Sequence, residues 1–125
     1  MEGEALLVRR IDDEVGAAAV AASRADRGPA PDRDTLATAV RWTLQRLAEQ
    51  APGHALEVRV PPYGAVQAVE GPRHTRGTPP NVVETDPATW LALATGDLAF
   101  SDAVAAGRVQ ASGTRTDLTA LLPLV

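Results

Sequence analysis

Apolar residues recur at two spacings along the chain, and each spacing predicts a different element. From about Glu4 to Arg24 they fall every three or four residues, which is typical of an amphipathic helix. The predicted buried stripe of this first helix is Leu7, Ile11, Val15, Ala18 and Ala22. Residues 27–31 (RGPAP) are rich in proline and glycine and predict a linker after it.

A second helix is predicted from Asp32 or Asp34, either of which suits the N-cap position, to about Gln50. Its apolar stripe is Leu36, Val40, Leu44 and Leu47.

After this helix the spacing of apolar residues changes to the alternation that is typical of strands. Residues 55–60 (ALEVRV) alternate apolar and charged side chains, which predicts a strand with one covered face. Residues 65–70, 82–84 and 108–112 predict three further strands.

The segment between the last two strands carries clear helix signals. Asp86 suits an N-cap and Pro87 the first helical position, and Gly96 suits the end of that helix. A second short helix is predicted over residues 97–106, ending at Gly107, and both glycines are expected to have positive φ. Trp90 falls on the inner face and is expected to be buried. A last short helix carries Leu118, Leu121 and Leu122.

These elements predict an α+β domain with a mainly antiparallel sheet covered on one face by helices. The chain has 125 residues, which is typical of one domain, and a net charge of −4. All twelve basic residues are arginine and they are scattered, so no basic face for nucleic acid is expected. The N-terminus is acidic and no apolar run is long enough to span a membrane, so we expect a cytoplasmic protein.

The residues that usually carry catalysis are sparse. The chain has no cysteine, and His54 and His74 are its only histidines, so no metal site is expected. It has no Gly-x-Ser-x-Gly elbow and no phosphate-binding glycine loop. We therefore expect a protein that is not an enzyme and needs no cofactor.

One polar cluster has two interpretations. Arg73, His74 and Arg76 lie in a loop rich in glycine and proline, residues 71–81. They can hold a carboxylate or phosphate head group. Alternatively, they are solvated or pair with nearby acids.

Several segments resemble the sterol carrier protein-2 superfamily, especially its small actinobacterial members. The matching pieces are Trp90–Gly96 (WLALATG), Asp102–Val109 (DAVAAGRV), Ser112-Gly113 and Val58–Gln67, and the resemblance covers about 32–124. It implies a five-stranded sheet with helices on one face and an apolar tunnel between the two layers. Members of the superfamily bind sterols, fatty acids or acyl-CoA, or serve as accessory domains.

The resemblance divides the chain into an N-terminal helix with its linker, residues 1–31, and a carrier-like domain, residues 32–125. It implies a carrier whose cavity is lined by Trp90, Leu91, Phe100, Val104, Leu118 and Leu122. With two Trp, one Phe and one Tyr in the chain, the core can either leave a cavity or close up. The alternative is an interaction or accessory domain with a collapsed cavity, whose N-terminal helix docks a partner or a second copy.

Overall fold

The computed structural model describes residues 9–24, 30–71 and 81–125 of the protein. Its architecture is α+β, as predicted, with the elements in the predicted order. They are α1 (Asp13–Arg24), α2 (Arg33–Gln50), β1 (Leu56–Val60), β2 (Gly64–Ala68), β3 (Asn81–Thr85), α3 (Pro87–Thr95), α4 (Phe100–Ala105) and β4 (Val109–Ser112). The predicted last helix is a single 3₁₀ turn, Thr119–Leu121.

The strands form one mixed sheet in the order β2-β1-β3-β4. β1 pairs antiparallel with β2 and parallel with β3, and β3 pairs antiparallel with β4. The expected five-stranded, mainly antiparallel sheet is matched only in part. The described residues form four strands, and the central pairing is parallel whereas the other two are antiparallel. Alternation along a strand has the same period in both kinds of pairing, so the sequence pattern does not distinguish them.

One face of the sheet contributes to the core. In β1 the apolar residues Leu56, Val58 and Val60 are buried, whereas Glu57 and Arg59 are partly exposed, as the alternation predicted. Helix α2 packs against β2 and α3. Its buried side chains include the predicted Val40, Leu44 and Leu47, while Leu36 is half-buried.

The ends of α3 follow the predicted capping signals. The side chain of Asp86 accepts a hydrogen bond from the backbone N–H of Thr89, and Pro87 is the first helical residue. Gly96 ends the helix with φ of 84°, and Gly107 after α4 has φ of 74°. Both glycines therefore adopt the left-handed conformation that was predicted for them.

The predicted buried stripe of the first helix is wrong. The helix begins at Asp13 and buries Gly16, Ala19 and Val20, whereas the side chain of Val15 is 54% exposed. Ala18 and Ala22 are exposed as well, and Leu7 lies outside the described residues. Ile11 precedes the helix, but it is half-buried against the core, as predicted. Most positions of α1 are alanine, glycine or valine, so apolar spacing alone does not select the face that packs.

The side chain of Trp42 on α2 selects that face. A Cβ atom on Gly16 would lie 2.0 Å from Cγ of Trp42, so only glycine allows the indole to pack directly on the backbone of α1. The indole N–H of Trp42 donates to Oδ1 of Asp13 at 3.1 Å. On α2 itself, the guanidinium carbon of Arg46 lies 5.3 Å from the centroid of the same ring, a cation–π contact.

Ion pairs hold both ends of α1. Before its first turn, Nε of Arg10 lies 2.7 Å from Oε2 of Glu49 on α2. At its last residue, Nη2 of Arg24 lies 2.7 Å from Oδ1 of Asp97, in the turn between α3 and α4. All four side chains are about half exposed, so the pairs set the position of α1 more than they stabilise it.

Candidate functional site

Trp90 of α3 lies at the centre of the helical layer and is fully buried, as predicted. Its indole N–H donates to Oγ1 of Thr43 on α2 at 2.7 Å. The one proton of that hydroxyl is shared between the backbone carbonyl oxygens of Ala39 and Val40, which lie 2.8 and 2.9 Å from Oγ1. The polar atom of the ring is therefore satisfied, and the rest of the ring contributes apolar surface.

The structure places most of the predicted lining residues in one core. Leu91, Phe100 and Leu118 belong to the same buried cluster as Trp90, and Leu122 is half-buried against it. The side chain of Val104 is 43% exposed. Helix α4 buries Phe100 and Ala103 instead. A cavity lined by the predicted residues stays a prediction.

The sequence analysis missed Thr43, which supplies the acceptor for Trp90. A threonine in the middle of an amphipathic helix carries no local signal for this role. Its position three residues after Val40 on the buried stripe is the one hint that the hydroxyl points inward.

The C-terminal segment packs across the end of α3. The backbone N–H groups of Leu124 and Val125 donate to the carbonyl of Ala94, at 2.8 and 3.3 Å. Nε of Arg46 donates to the carbonyl of Leu124 at 3.1 Å. The segment is therefore fixed to both α3 and α2.

The second predicted element of the site lies outside the described residues. Arg73, His74 and Arg76 belong to the segment 72–80, so their predicted contact with a head group stays a prediction. In the parts of the chain that the structure does describe, histidine and acidic side chains do not gather in a group that can hold a metal ion. Across the same residues, the structure contains no helix with the length and apolar character needed to span a membrane.

The described residues thus define an α+β protein whose helices pack an aliphatic layer, centred on one hydrogen-bonded tryptophan, against a mixed sheet. The chain matches the family described as bacterial SCP ortholog over residues 32–124. It belongs to this sterol carrier protein-like family, as the resemblance of its helix and turn motifs predicted. No curated protein matches the chain.

Proposed function

We propose that the protein is a non-catalytic carrier that binds an apolar molecule, a sterol, a fatty acid or an acyl-CoA, between its helical layer and its sheet. Membership of the sterol carrier protein-like family, over residues 32–124, is the observation that carries this proposal. The ligand would contact the predicted lining residues, namely Trp90, Leu91, Phe100, Val104, Leu118 and Leu122.

The chemistry of the helical layer supports the proposal. Its buried side chains are mostly aliphatic, and the hydroxyl of Thr43 and the indole of Trp90 already satisfy each other. Over the described ranges, the buried side-chain polar atom that lacks a partner is Oγ of Ser23, which belongs to α1. A ligand in this layer therefore gains affinity from burying CH₂ groups, at about 0.8 kcal/mol each.

The rim beside the C-terminal segment is the proposed entrance. Leu121 and Leu122, which lead into this segment, are only half-buried. The backbone N–H groups of Leu124 and Val125 attach the segment to the carbonyl of Ala94. Breaking these bonds would expose the apolar layer without disturbing the pairing of the sheet, so this edge can admit a ligand.

A titration with two fluorescent probes, a fatty acid and a sterol, tests the carrier function. We expect at least one of them to bind with a micromolar dissociation constant, which corresponds to about −8 kcal/mol. Leu122→Gln places a polar amide at the proposed entrance and is expected to weaken that binding. Val15→Gln makes the same kind of change on exposed α1 and should leave it unchanged.

If the folded protein binds neither probe below about 100 µM, the carrier proposal is wrong. The interaction domain is then the better candidate, and one observation favours it independently. An apolar groove of about 350 Å³ runs between α1 and α2, lined by the exposed Val15, Ala18 and Ala22 and by Asp34, Thr35 and Thr38. Light scattering on the native protein and on Val15→Asp would show whether copies of the chain associate through this groove.

A further inference from the structure

A groove of about 350 Å³ with several charged residues in its lining lies at one end of the sheet. The carboxyl ends of the parallel strands β1 and β3 meet the beginning of β4 there. The groove is lined by Pro61, Glu84, Thr85, Asp86, Gly107, Arg108 and Gln110. We call it the sheet-end groove.

Arg108 is held in this groove by its neighbours. Its Nε donates to Oγ1 of Thr89 at 3.1 Å, and its carbonyl accepts from Oγ1 of Thr85 at 2.7 Å. Among the described residues, the two η nitrogens of Arg108 have no hydrogen-bond partner. The side chain of Arg108 is exposed, so these two nitrogens are accessible to an oxyanion, which a guanidinium binds through paired N–H groups.

The carboxylate of Asp86 is already engaged. Its Oδ1 accepts from Oγ1 of Thr89 at 2.6 Å and its Oδ2 from the backbone N–H of Thr89 at 3.1 Å. Burial raises the pKa of Asp86, but these hydrogen bonds and the charge of Arg108 outweigh burial and hold the pKa below its ordinary value. Asp86 thus stays ionised and contributes negative charge to the groove, while both of its oxygens already accept a hydrogen bond from Thr89.

Glu84 provides the second carboxylate of the groove. It lies on β3 directly between Arg59 of β1 and Gln110 of β4. The Nε of Arg59 donates to Glu57, which is the main cause of the raised pKa of Arg59, and the charge of Glu84 adds to that rise. Over the residues that the structure describes, the oxygens of Glu84 accept no hydrogen bond, so they can accept one from an ammonium group.

From these contacts we propose that the sheet-end groove binds a small zwitterion, with its oxyanion on Arg108 and its primary ammonium on Glu84. An anion alone would meet the negative charges of Glu84 and Asp86, and a cation alone would meet Arg108. A phosphoethanolamine group carries both charges, whether free or as the head group of a lipid. This site is separate from the proposed apolar one, and its test uses different probes, so the two proposals can fail independently.

The test is an NMR titration of the full chain with O-phosphoethanolamine at low salt, because salt screens such exposed charges. We expect the backbone amides of Glu84, Gly107 and Gln110 to shift with a dissociation constant of about 1 mM or lower. Ethanolamine and methyl phosphate each carry one of the two charges. Each is expected to bind at least about fivefold more weakly.

Charge-removing variants separate the two contacts. Arg108→Gln and Glu84→Gln should each weaken O-phosphoethanolamine binding by about fivefold or more. Arg33→Gln and Glu70→Gln remove the same charges elsewhere and should leave it unchanged. The spectra themselves show whether each variant is folded. Equal binding of a singly charged probe, the absence of shifts at about 20 mM ligand, or an unchanged constant for Arg108→Gln would each overturn the proposal.

A last comparison identifies the source of the zwitterion. Lysophosphatidylethanolamine below its micellar concentration carries the same group on an acyl chain. If it binds about tenfold more tightly than O-phosphoethanolamine, and lysophosphatidylcholine does not, the groove recognises a lipid head group. Equal binding of the lipid and of free O-phosphoethanolamine assigns the groove to a free small molecule.

Discussion

At the scale of single residues, the hydroxyl of Thr43 decides whether Trp90 can be buried. It accepts the indole N–H at 2.7 Å in a fully buried position. Without an acceptor, burial would remove that N–H from water and leave it without a hydrogen bond. The free-energy cost of such a buried donor is larger than the stabilisation that one hydrogen bond contributes. The hydrogen bond between Trp90 and Thr43 therefore fixes the position of α3 relative to α2.

Thr43→Val keeps the shape of the side chain and removes the acceptor. We expect it to lower the free energy of unfolding by about 1–3 kcal/mol, measured by urea denaturation. Thr43→Ser keeps the hydroxyl and loses one buried methyl group, so it should cost less, about 1 kcal/mol. A valine variant as stable as the native protein would show that the hydrogen bond is not needed.

At the scale of elements, the contact between α1 and α2 depends on the absence of a side chain at Gly16. A Cβ atom there would lie within 2.4 Å of three atoms of the Trp42 ring. In an isolated helix, alanine in place of glycine is favourable by about 1 kcal/mol. The packing contact therefore opposes the intrinsic helix propensity at this one position.

Gly16→Ala is expected to displace α1 and to lower the free energy of unfolding by about 1–3 kcal/mol. Hydrogen exchange should then be faster in the amides of α1 than in the sheet. Ala18→Gln adds bulk at an exposed position of the same helix with little change in helix propensity, so it should change neither quantity. A Gly16→Ala variant with higher stability and unchanged exchange would contradict the packing argument.

Acid should loosen the same helix. The hydrogen bond from Trp42 and then that from Arg10 lower the pKa of Asp13 below its ordinary value of 3.8, and the bond from Arg24 lowers that of Asp97. A carboxyl group whose pKa is lowered by folding stabilises the folded state above the unfolded pKa. That contribution is lost as pH falls through the lower, folded value.

The indole N–H resonance of Trp42 reports this loss directly. Between about pH 6 and pH 2 it should titrate with a midpoint below that of a free aspartate. Asp13→Asn keeps an oxygen acceptor for Trp42 and should abolish the titration. A midpoint at or above 3.8 in the native protein would contradict the shift that the structure indicates.

At the scale of the whole molecule, the features that local sequence controls were predictable and the long-range ones were not. The Asp86 cap and the left-handed Gly96 depend on neighbouring residues, so their signals are visible in the chain. The parallel pairing of β1 with β3 joins segments far apart in sequence. The face of α1 that packs is set by Trp42 on α2, and the hydrogen-bond acceptor of Trp90 is Thr43, also on α2. Neither contact could be inferred from the spacing of apolar residues.

The contact of Gly16 with Trp42 has a consequence for related proteins. The family match begins at residue 32, whereas the helix that covers Trp42 lies before it. In a relative without such a helix, an indole at this position would face water. We therefore expect relatives to carry either both features, a glycine in an N-terminal helix and a tryptophan in the next, or neither. An alignment in which tryptophan persists without the helix would show that another element can cover that surface.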